Sequence, residues 1–186
     1  MRFVFDQGNA FLNNFVSELM AVKTDDLIIE IGSGTGNLIY KMAPNIDNGL
    51  IEGVDFSSAM VSVARNKNKK NIAKGSVNIV EGDFDNMPYE KEKYSKACSV
   101  NTIYFWPSPV HTAKKIADIL KPGGVLILAF EDIEQLKQRK LNQDIFHLYS
   151  KDEVQDLLIN AGFSTSVNIV SRKKGDLIFH CVVAKK

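Results

Sequence analysis

This 186-residue sequence has few of the features that mark extracellular, membrane-spanning or metal-binding proteins. Its two cysteines, Cys98 and Cys181, lie in apolar segments, so we expect buried thiols in a reducing compartment rather than disulfides. We find no residues with metal-ligand spacing. No apolar run approaches the roughly 20 residues of a membrane helix, and residues 1–6 do not resemble a secretory signal. We therefore expect a cytoplasmic protein with no metal and no membrane partner.

The sequence also lacks a charge excess, because 23 Lys and Arg residues are balanced by 22 Asp and Glu residues. The formal net charge of +1 gives no global attraction to nucleic acid. A basic run at 65–74 ends a predicted helix, where the helix dipole favours cations, so we expect no nucleic-acid partner. The composition is 45% hydrophobic and 24% charged, typical of globular proteins, and we assign residues 1–186 to a single domain.

The most informative stretch is a predicted strand followed by a glycine turn and a helix. Leu27–Ile31 is an apolar run of the kind found in strands that are buried on both faces of a parallel sheet. Gly32-Ser33-Gly34-Thr35-Gly36 follows, and residues 37–43 then predict a short helix that Pro44 ends. A glycine turn at this place lets a ligand approach backbone N–H groups, so we predict a nucleotide-like ligand.

The turn does not match the common phosphate-binding patterns. Asn37 occupies the position of the third glycine of the dinucleotide fingerprint Gly-x-Gly-x-x-Gly. The Gly-Lys-Ser/Thr ending of a phosphate loop is absent as well. Glu30 is the most polar residue of the preceding strand, and an acidic group there favours a cationic ligand.

Acidic residues also end the next two predicted strands. Asp55 has the position from which a carboxylate accepts hydrogen bonds from ribose hydroxyls. Asp55 could instead cap the following helix, but Ser57 and Ser58 already offer that cap. Asp83 can accept a hydrogen bond from an adenine amine, and Phe84 offers a ring beside the base. Because parallel strands end at the same edge of a sheet, we expect these residues near the glycine turn.

Four patterns, taken in chain order, resemble the motifs of class I S-adenosylmethionine-dependent methyltransferases: Glu30-x-Gly32-x-Gly34-x-Gly36, Asp55, Gly82-Asp83 and Leu120-Lys121-Pro122-Gly123-Gly124. The resemblance extends from about residue 8 to the end of the chain. It implies an α/β fold, a Rossmann-like three-layer sandwich with a seven-stranded, mostly parallel sheet and an antiparallel C-terminal strand. Residues 1–22 would be an N-terminal loop and helix packing on this methyltransferase domain.

The same resemblance implies S-adenosylmethionine as the cofactor, with contacts from Glu30, Gly32, Ser33, Gly34, Gly36, Asp55, Phe56, Asp83, Phe84 and Asn101. It implies transfer of the methyl group to a small-molecule acceptor by in-line displacement, in a monomer or homodimer. Asn101-Thr102-Ile103-Tyr104 stands where many DNA and protein amine methyltransferases have Asn-Pro-Pro-Tyr, which counts against an amide or base-amine acceptor. We predict no catalytic residue, because the donor is already activated and holding the reactants in line suffices.

Two interpretations of the loop after the fourth strand stay open. Tyr104 and Trp106 could bind the acceptor as an apolar wall with Phe105, or they could cover the open end of the sheet. Segment 131–150, which often helps to form the acceptor pocket in the family, is short here. Two other functions also stay open, a non-catalytic binding or regulatory subunit and, less favoured, an NAD-dependent oxidoreductase.

Periodicity predicts the remaining elements. Residues 8–22 form an amphipathic helix with a core-facing aromatic stripe. The helices beginning near Ala59 and Ser108 are expected to bury Val63 and Val110. The last elements are expected to be a helix capped by Ser150 and Glu153 and an antiparallel pair of strands near 166–171 and 177–184, joined by the turn 172–176.

Overall fold

The computed structural model describes residues 6–139, 141–142 and 144–186, so residues 1–5 of the predicted N-terminal loop lie outside it, as do the side chains of residues 6–8. Seven strands of these described residues form one sheet in the order β3-β2-β1-β4-β5-β7-β6. The strands are β1 (Leu27–Ile31), β2 (Leu50–Asp55), β3 (Val77–Glu81), β4 (Tyr94–Val100), β5 (Leu120–Glu131), β6 (Asn168–Lys174) and β7 (Leu177–Lys185).

The strand directions confirm the predicted sheet. β1 pairs in parallel with β2 and β4, and the pairs β2–β3 and β4–β5 are also parallel. Only β7 is reversed, because it pairs antiparallel with both β5 and β6. The chain runs outward from β1 to β3 and then returns to the other side of β1, so strand order reverses between β1 and β4.

Helices cover both faces of the sheet. One face carries α1 (Asp6–Met20), α2 (Asn37–Met42) and α3 (Ser58–Ala73), and the other carries α4 (Pro109–Ile119) and α6 (Lys151–Asn160). The short helix α5 (Ile133–Lys137) follows β5. Leu12, Phe15, Val16 and Met20 of α1 are buried, which confirms the predicted core-facing stripe. No helix of the described residues is long and apolar enough to cross a membrane.

The predicted buried faces of two helices are partly wrong. Val63 of α3 and Val110 of α4 are each 47% exposed. The buried face of α3 instead contains Val61, Ala64 and Asn68, and the Asn68 amide donates to the carbonyl oxygens of Gly36 and Ala64. A buried amide that is fully hydrogen-bonded can replace an apolar side chain, so apolar spacing alone did not identify Asn68 as part of this face.

The C-terminal elements differ from expectation only at their boundaries. Ser150 and Glu153 form the predicted capping box of α6. β6 extends through Lys174, so the turn to β7 is shorter than the predicted 172–176. Lysines are common on edge strands, where they discourage pairing with other chains, and their polarity caused the misassignment. Ser108 occupies the N-cap of α4 but makes no side-chain capping bond.

Candidate functional site

The candidate site lies at the carboxyl ends of β1, β2 and β4, where the strand order reverses. Open α/β sheets bind their ligands at such a point. The Gly34 N–H donates to the Asp55 carboxylate, which joins the glycine turn to the end of β2. The Gly82 N–H donates to the Asp55 carbonyl oxygen at 3.0 Å, which brings the segment after β3 to the same edge. The structure therefore brings the predicted strand-end residues together.

The three glycines of the turn have positive φ angles of 73°, 52° and 69°, which strain L side chains. A Cβ on Gly32 would overlap the Thr102 methyl group, and one on Gly36 would lie 2.9 Å from the Ala64 Cβ. A Cβ on Gly34 would have no described heavy atom within 4 Å. Gly32 and Gly36 thus permit close packing, whereas Gly34 lies beside open space that a ligand can enter.

Asp55 supports the glycine turn directly. Its carboxylate accepts from the Gly34 N–H at 2.7 Å and from the Ser57 N–H at 2.9 Å. The Ser57 hydroxyl caps α3 by accepting from the Met60 N–H, as the sequence predicted. A carboxylate has about four lone-pair positions, so Asp55 can accept further bonds from a ligand while it holds the turn.

Unpartnered oxygens are concentrated at this site. Among the described residues, four buried side-chain oxygens have no hydrogen-bond partner, and three of them belong to Glu30, Ser33 and Asn101. Ser33 Oγ lies 3.2 Å from where a Cβ on Gly53 would be, so this hydroxyl is packed against β2. Buried polar groups are normally hydrogen-bonded, and such a concentration of unpartnered acceptors indicates a place for donors from a ligand.

Glu30 is 3% exposed at the end of β1. Burial raises the pKa of its carboxyl well above the usual value, and the nearby Asp55 carboxylate adds to the rise. A hydrogen bond with the Ile39 backbone opposes this rise. A cation bound near Glu30 would favour the ionised carboxylate and so lower this pKa again. Binding of a positively charged ligand would therefore release a proton from Glu30.

Asn101 connects the end of β4 to helix α1. Its amide Nδ2 donates to Asn9 Oδ1 at 3.0 Å, and its backbone N–H donates to the Ala129 carbonyl oxygen. Its φ of 56° is uncommon for a non-glycine residue, although asparagine tolerates it better than most. The side chain is therefore fixed at the strand end with its Oδ1 unpartnered.

The residues predicted to contact the cofactor just after β2 and β3 are placed unequally. Asp83 is exposed, and its carboxylate accepts from the Asp85 N–H and the Asn86 amide. The Phe84 ring is buried, with its centroid 5.1 Å from that of Tyr89. Phe56, which follows Asp55, is 72% exposed. Of the two predicted rings, Phe56 is therefore the one that a ligand can reach without rearrangement.

Tyr104 and Trp106 are both buried in the core, so the structure favours the interpretation that they cover the sheet. The Tyr104 hydroxyl accepts from the Glu131 N–H at 2.7 Å. The Trp106 indole N–H donates to Thr102 Oγ1 at 3.2 Å. Phe105, between them, is only partly buried, and its ring centroid lies 4.9 Å from that of Phe146.

The predicted acceptor segment begins where β5 ends, at an ion pair whose carboxylate is buried. Glu131 is almost fully buried, and its carboxylate accepts from Arg139 at 2.5 Å and from Gln135 at 3.0 Å. Both partners lie in or just after α5, so the ion pair holds this short helix against the sheet. Residues 140 and 143 of the predicted acceptor segment lie outside the described part of the chain.

A cavity of about 170 Å³ lies between β1–β3, whose lining residues include Val54 and Val80, and the segment that contains Met87 and Tyr89. Its polar lining is satisfied, because the Glu52 carboxylate accepts from Lys93 at 2.5 Å and from the Tyr94 hydroxyl at 2.7 Å. It therefore does not offer the unpartnered groups that mark the candidate site.

Two site contacts escaped the sequence analysis. Asn9 lies in a helix whose periodicity indicated only packing, yet it bonds Asn101 across a separation of 92 residues. Thr102 entered the sequence analysis only as part of the Asn101–Tyr104 motif, yet its methyl group lies against Gly32. Neither contact leaves a local signal, since both depend on how distant segments meet.

Comparison with known proteins indicates which ligand this geometry serves. The profile of a family described as "Methyltransferase domain" matches residues 28–124, which include the glycine turn, Asp55, Asp83 and Asn101. The chain is 28% identical over 126 residues to 2-methyl-6-phytyl-1,4-hydroquinone methyltransferase 1 of Oryza sativa, covering 68% of this chain and 37% of that protein. It is 27% identical over 132 residues to the methyltransferase YdaC of Bacillus subtilis, covering 71% of each protein.

Solved structures share the whole architecture. The methyltransferase in the complex with the Haloferax volcanii Trm112 methyltransferase activator superposes with a TM-score of 0.84, covering 97% of this chain and 91% of that chain. The two sequences are 20% identical, so the similarity establishes the fold alone.

Proposed function

From the premise that this chain belongs to the methyltransferase domain family and is an S-adenosylmethionine-dependent enzyme, we propose that its methyl acceptor is a small molecule. The near-zero net charge supports this proposal, because nucleic-acid substrates favour basic surfaces. The name of the rice relative, which specifies a hydroquinone, is consistent with it. We also propose that residues 1–186 form a single domain.

The assignment of the cofactor contacts rests on the unpartnered oxygens at the strand ends. S-adenosylmethionine has an ammonium group, ribose hydroxyls and an adenine amine, all of which are donors, together with a positively charged sulfonium. Glu30 and Asn101 offer unpartnered oxygens, and a negative Glu30 would also attract the positive charges. We assign the ribose to Asp55 and the base to Asp83 and Phe56, with Gly34 allowing close approach of the backbone.

When bound, the cofactor supplies a methyl group on a sulfonium that is already activated for displacement. The residues of this chain therefore need to bind, orient and exclude water rather than to activate the donor. Asp55 and the glycine turn hold one end of the site, and Asn101 holds the end of β4 beside the acceptor segment. We assign no general base, because no titratable side chain is shown to meet an acceptor.

Calorimetry with S-adenosylhomocysteine, with NAD as the comparison ligand, tests the cofactor contacts. We expect S-adenosylhomocysteine to bind and NAD not to bind. A Glu30→Gln variant should bind S-adenosylmethionine less tightly while its affinity for S-adenosylhomocysteine, which lacks the sulfonium charge, changes less. Equal losses for the two ligands would contradict the charge role of Glu30.

Labelling with a radioactive methyl donor tests the acceptor class. The protein is incubated with the donor and a cell extract that has been separated into small-molecule, RNA and protein fractions. Label in the small-molecule fraction supports the proposal, and label only in RNA or protein contradicts it.

The Haloferax volcanii neighbour was solved with an activator protein, so a second candidate is an enzyme that needs a partner subunit. Activity that appears only when a protein fraction is added would favour that candidate.

A further inference from the structure

Residues 82–93 connect two parallel strands, β3 and β4, without forming a helix, although such connections usually contain one. This crossover segment carries Asp83 and Phe84, the predicted contacts to the base. Its backbone is therefore not held by a regular helical ladder. Backbone bonds hold its start, where the Gly82 N–H donates to the Asp55 carbonyl oxygen and the Asn86 and Met87 N–H groups donate to the Asp83 carbonyl oxygen. The rest of the segment needs support from side chains.

Helix α4 supplies the missing support. The Lys115 ammonium donates to the carbonyl oxygens of Asp85 at 2.8 Å and Met87 at 2.6 Å. It also lies 5.2 Å from the ring centroid of Phe84 and 5.3 Å from that of Tyr89. One helical turn earlier, the Thr112 hydroxyl donates to the Asp85 carboxylate at 2.8 Å.

These contacts hold the crossover segment in place, because side chains of the regular helix α4 donate to its backbone carbonyl and carboxylate oxygens. Hydrogen bonds from an ammonium are stronger than neutral ones, and aromatic faces add cation–π attraction. Burial lowers the pKa of the Lys115 ammonium, whereas the carboxylates of Asp85 and Asp83 oppose the change. The ammonium is thus partly removed from water.

The orientation of Asp83 depends on the residues that Lys115 holds. One Asp83 oxygen accepts from the Asp85 N–H at 3.0 Å, and the other accepts from the Asn86 amide at 2.6 Å. Lys115 fixes the carbonyl oxygens of Asp85 and Met87, on either side of Asn86. A shift of this turn would therefore rotate the carboxylate.

We propose that Lys115 is a positioning residue that holds the crossover segment so that Asp83 can accept from the adenine amine of the cofactor. This inference rests on the proposed function, because it takes Asp83 as the contact of the base. Lys115 itself contacts neither the cofactor nor the acceptor in this role.

The test compares S-adenosylhomocysteine with S-inosylhomocysteine, in which an oxo group replaces the adenine amine. We expect the wild-type protein to prefer the adenosyl ligand about tenfold, as one hydrogen bond would give. Lys115→Met should reduce this preference to less than about twofold, as expected once that bond is lost. Lys114→Met, at the adjacent exposed lysine, is the matched control and should keep the preference.

A ratio of two affinities separates positioning from general destabilisation, because loss of folded protein lowers both affinities equally. Thr112→Val removes a single bond to Asp85 and should reduce the preference partially, so it decides the question if Lys115→Met does not fold. A wild-type protein that binds neither ligand would overturn both proposals. A wild-type preference that Lys115→Met fully retains would overturn this inference and leave the proposed function standing.

Discussion

The cofactor side and the acceptor side of the candidate site are held in different ways. On the cofactor side, Glu30, Asp55 and Asn101 lie at the ends of three adjacent strands, and backbone bonds join the strand ends. On the proposed acceptor side, the Arg139 guanidinium pairs with Glu131 beside the five-residue helix α5, and the Phe146 ring packs against Phe105. Under the proposed function, the strand ends would fix the position of the donor, and the connecting segments would shape the acceptor pocket.

The largest effect is expected from Asp55→Ala, which removes the contact at the centre of the cofactor side. It should weaken S-adenosylhomocysteine binding by about 1–3 kcal/mol, because ribose hydroxyls and the Gly34 N–H lose their acceptor. Calorimetry measures the loss. Asp156→Ala, at an exposed position of α6, is the control. An unchanged affinity in Asp55→Ala would reject the ribose assignment.

Tyr104→Phe tests whether Tyr104 stabilises the core, as its burial indicates, or contacts the acceptor. The change leaves the Glu131 N–H without the Tyr104 hydroxyl, so the free energy of unfolding should fall by about 1–2 kcal/mol. Denaturant unfolding measures this change, and cofactor affinity should stay the same. If stability were unchanged while the KM of an acceptor rose, Tyr104 would be an acceptor contact, as one interpretation of the sequence proposed.

Asn101→Gly removes the side chain at the end of β4 while keeping a residue that tolerates the φ of 56°. Affinity for S-adenosylhomocysteine should fall by about 1 kcal/mol through loss of the Oδ1 acceptor. Asn9→Ala is the matched variant, because it removes the bond to α1 but keeps Asn101 Oδ1. Should both variants lose the same affinity, Asn101 acts only by holding α1.

The remaining effect is a change with pH in the stabilising contribution of Glu30. The folded-state pKa lies above the ordinary value of 4.5, so between these values the folded protein binds more protons than the unfolded chain. Wild-type stability should therefore fall, relative to Glu30→Gln, as the pH rises above 4.5. Unfolding free energies measured at several pH values, without ligand, give the difference. A difference that does not change with pH would show that Glu30 has an ordinary pKa.

The sequence predicted the strand ends well because each of them has a local pattern. An apolar run, a glycine turn and an acidic strand end are adjacent in the chain, and parallel strands bring such ends to one edge. The interpretation of single side chains was weaker. Phe84 was predicted to lie beside the base and Phe56 only to contact the cofactor, yet Phe84 is buried and Phe56 is exposed. Packing against α4 decides that the Phe84 ring is covered.

The helical spacing of apolar residues also gave wrong predictions of burial where tertiary contacts decide which side chains are covered. Val63 and Val110 fit a buried helical face by type but lie on exposed faces, and Asn68 is buried because its amide is satisfied by two carbonyl oxygens. The 172–176 turn was placed by polarity, but polar residues are equally suited to an edge strand. These errors have one cause: the type of a residue does not determine which neighbours surround its side chain in the folded protein.

The sequence by itself determined the order of the strands and of the helices other than α5, the glycine turn and the acidic ends of the first three strands. Backbone geometry and periodicity are local properties, so they can be read from neighbouring residues. Only the tertiary structure decided that Gly34, rather than Gly32 or Gly36, faces open space. It also decided that Asn101 meets Asn9 and that Lys115 holds the crossover segment, because long-range contacts arise when distant segments pack together.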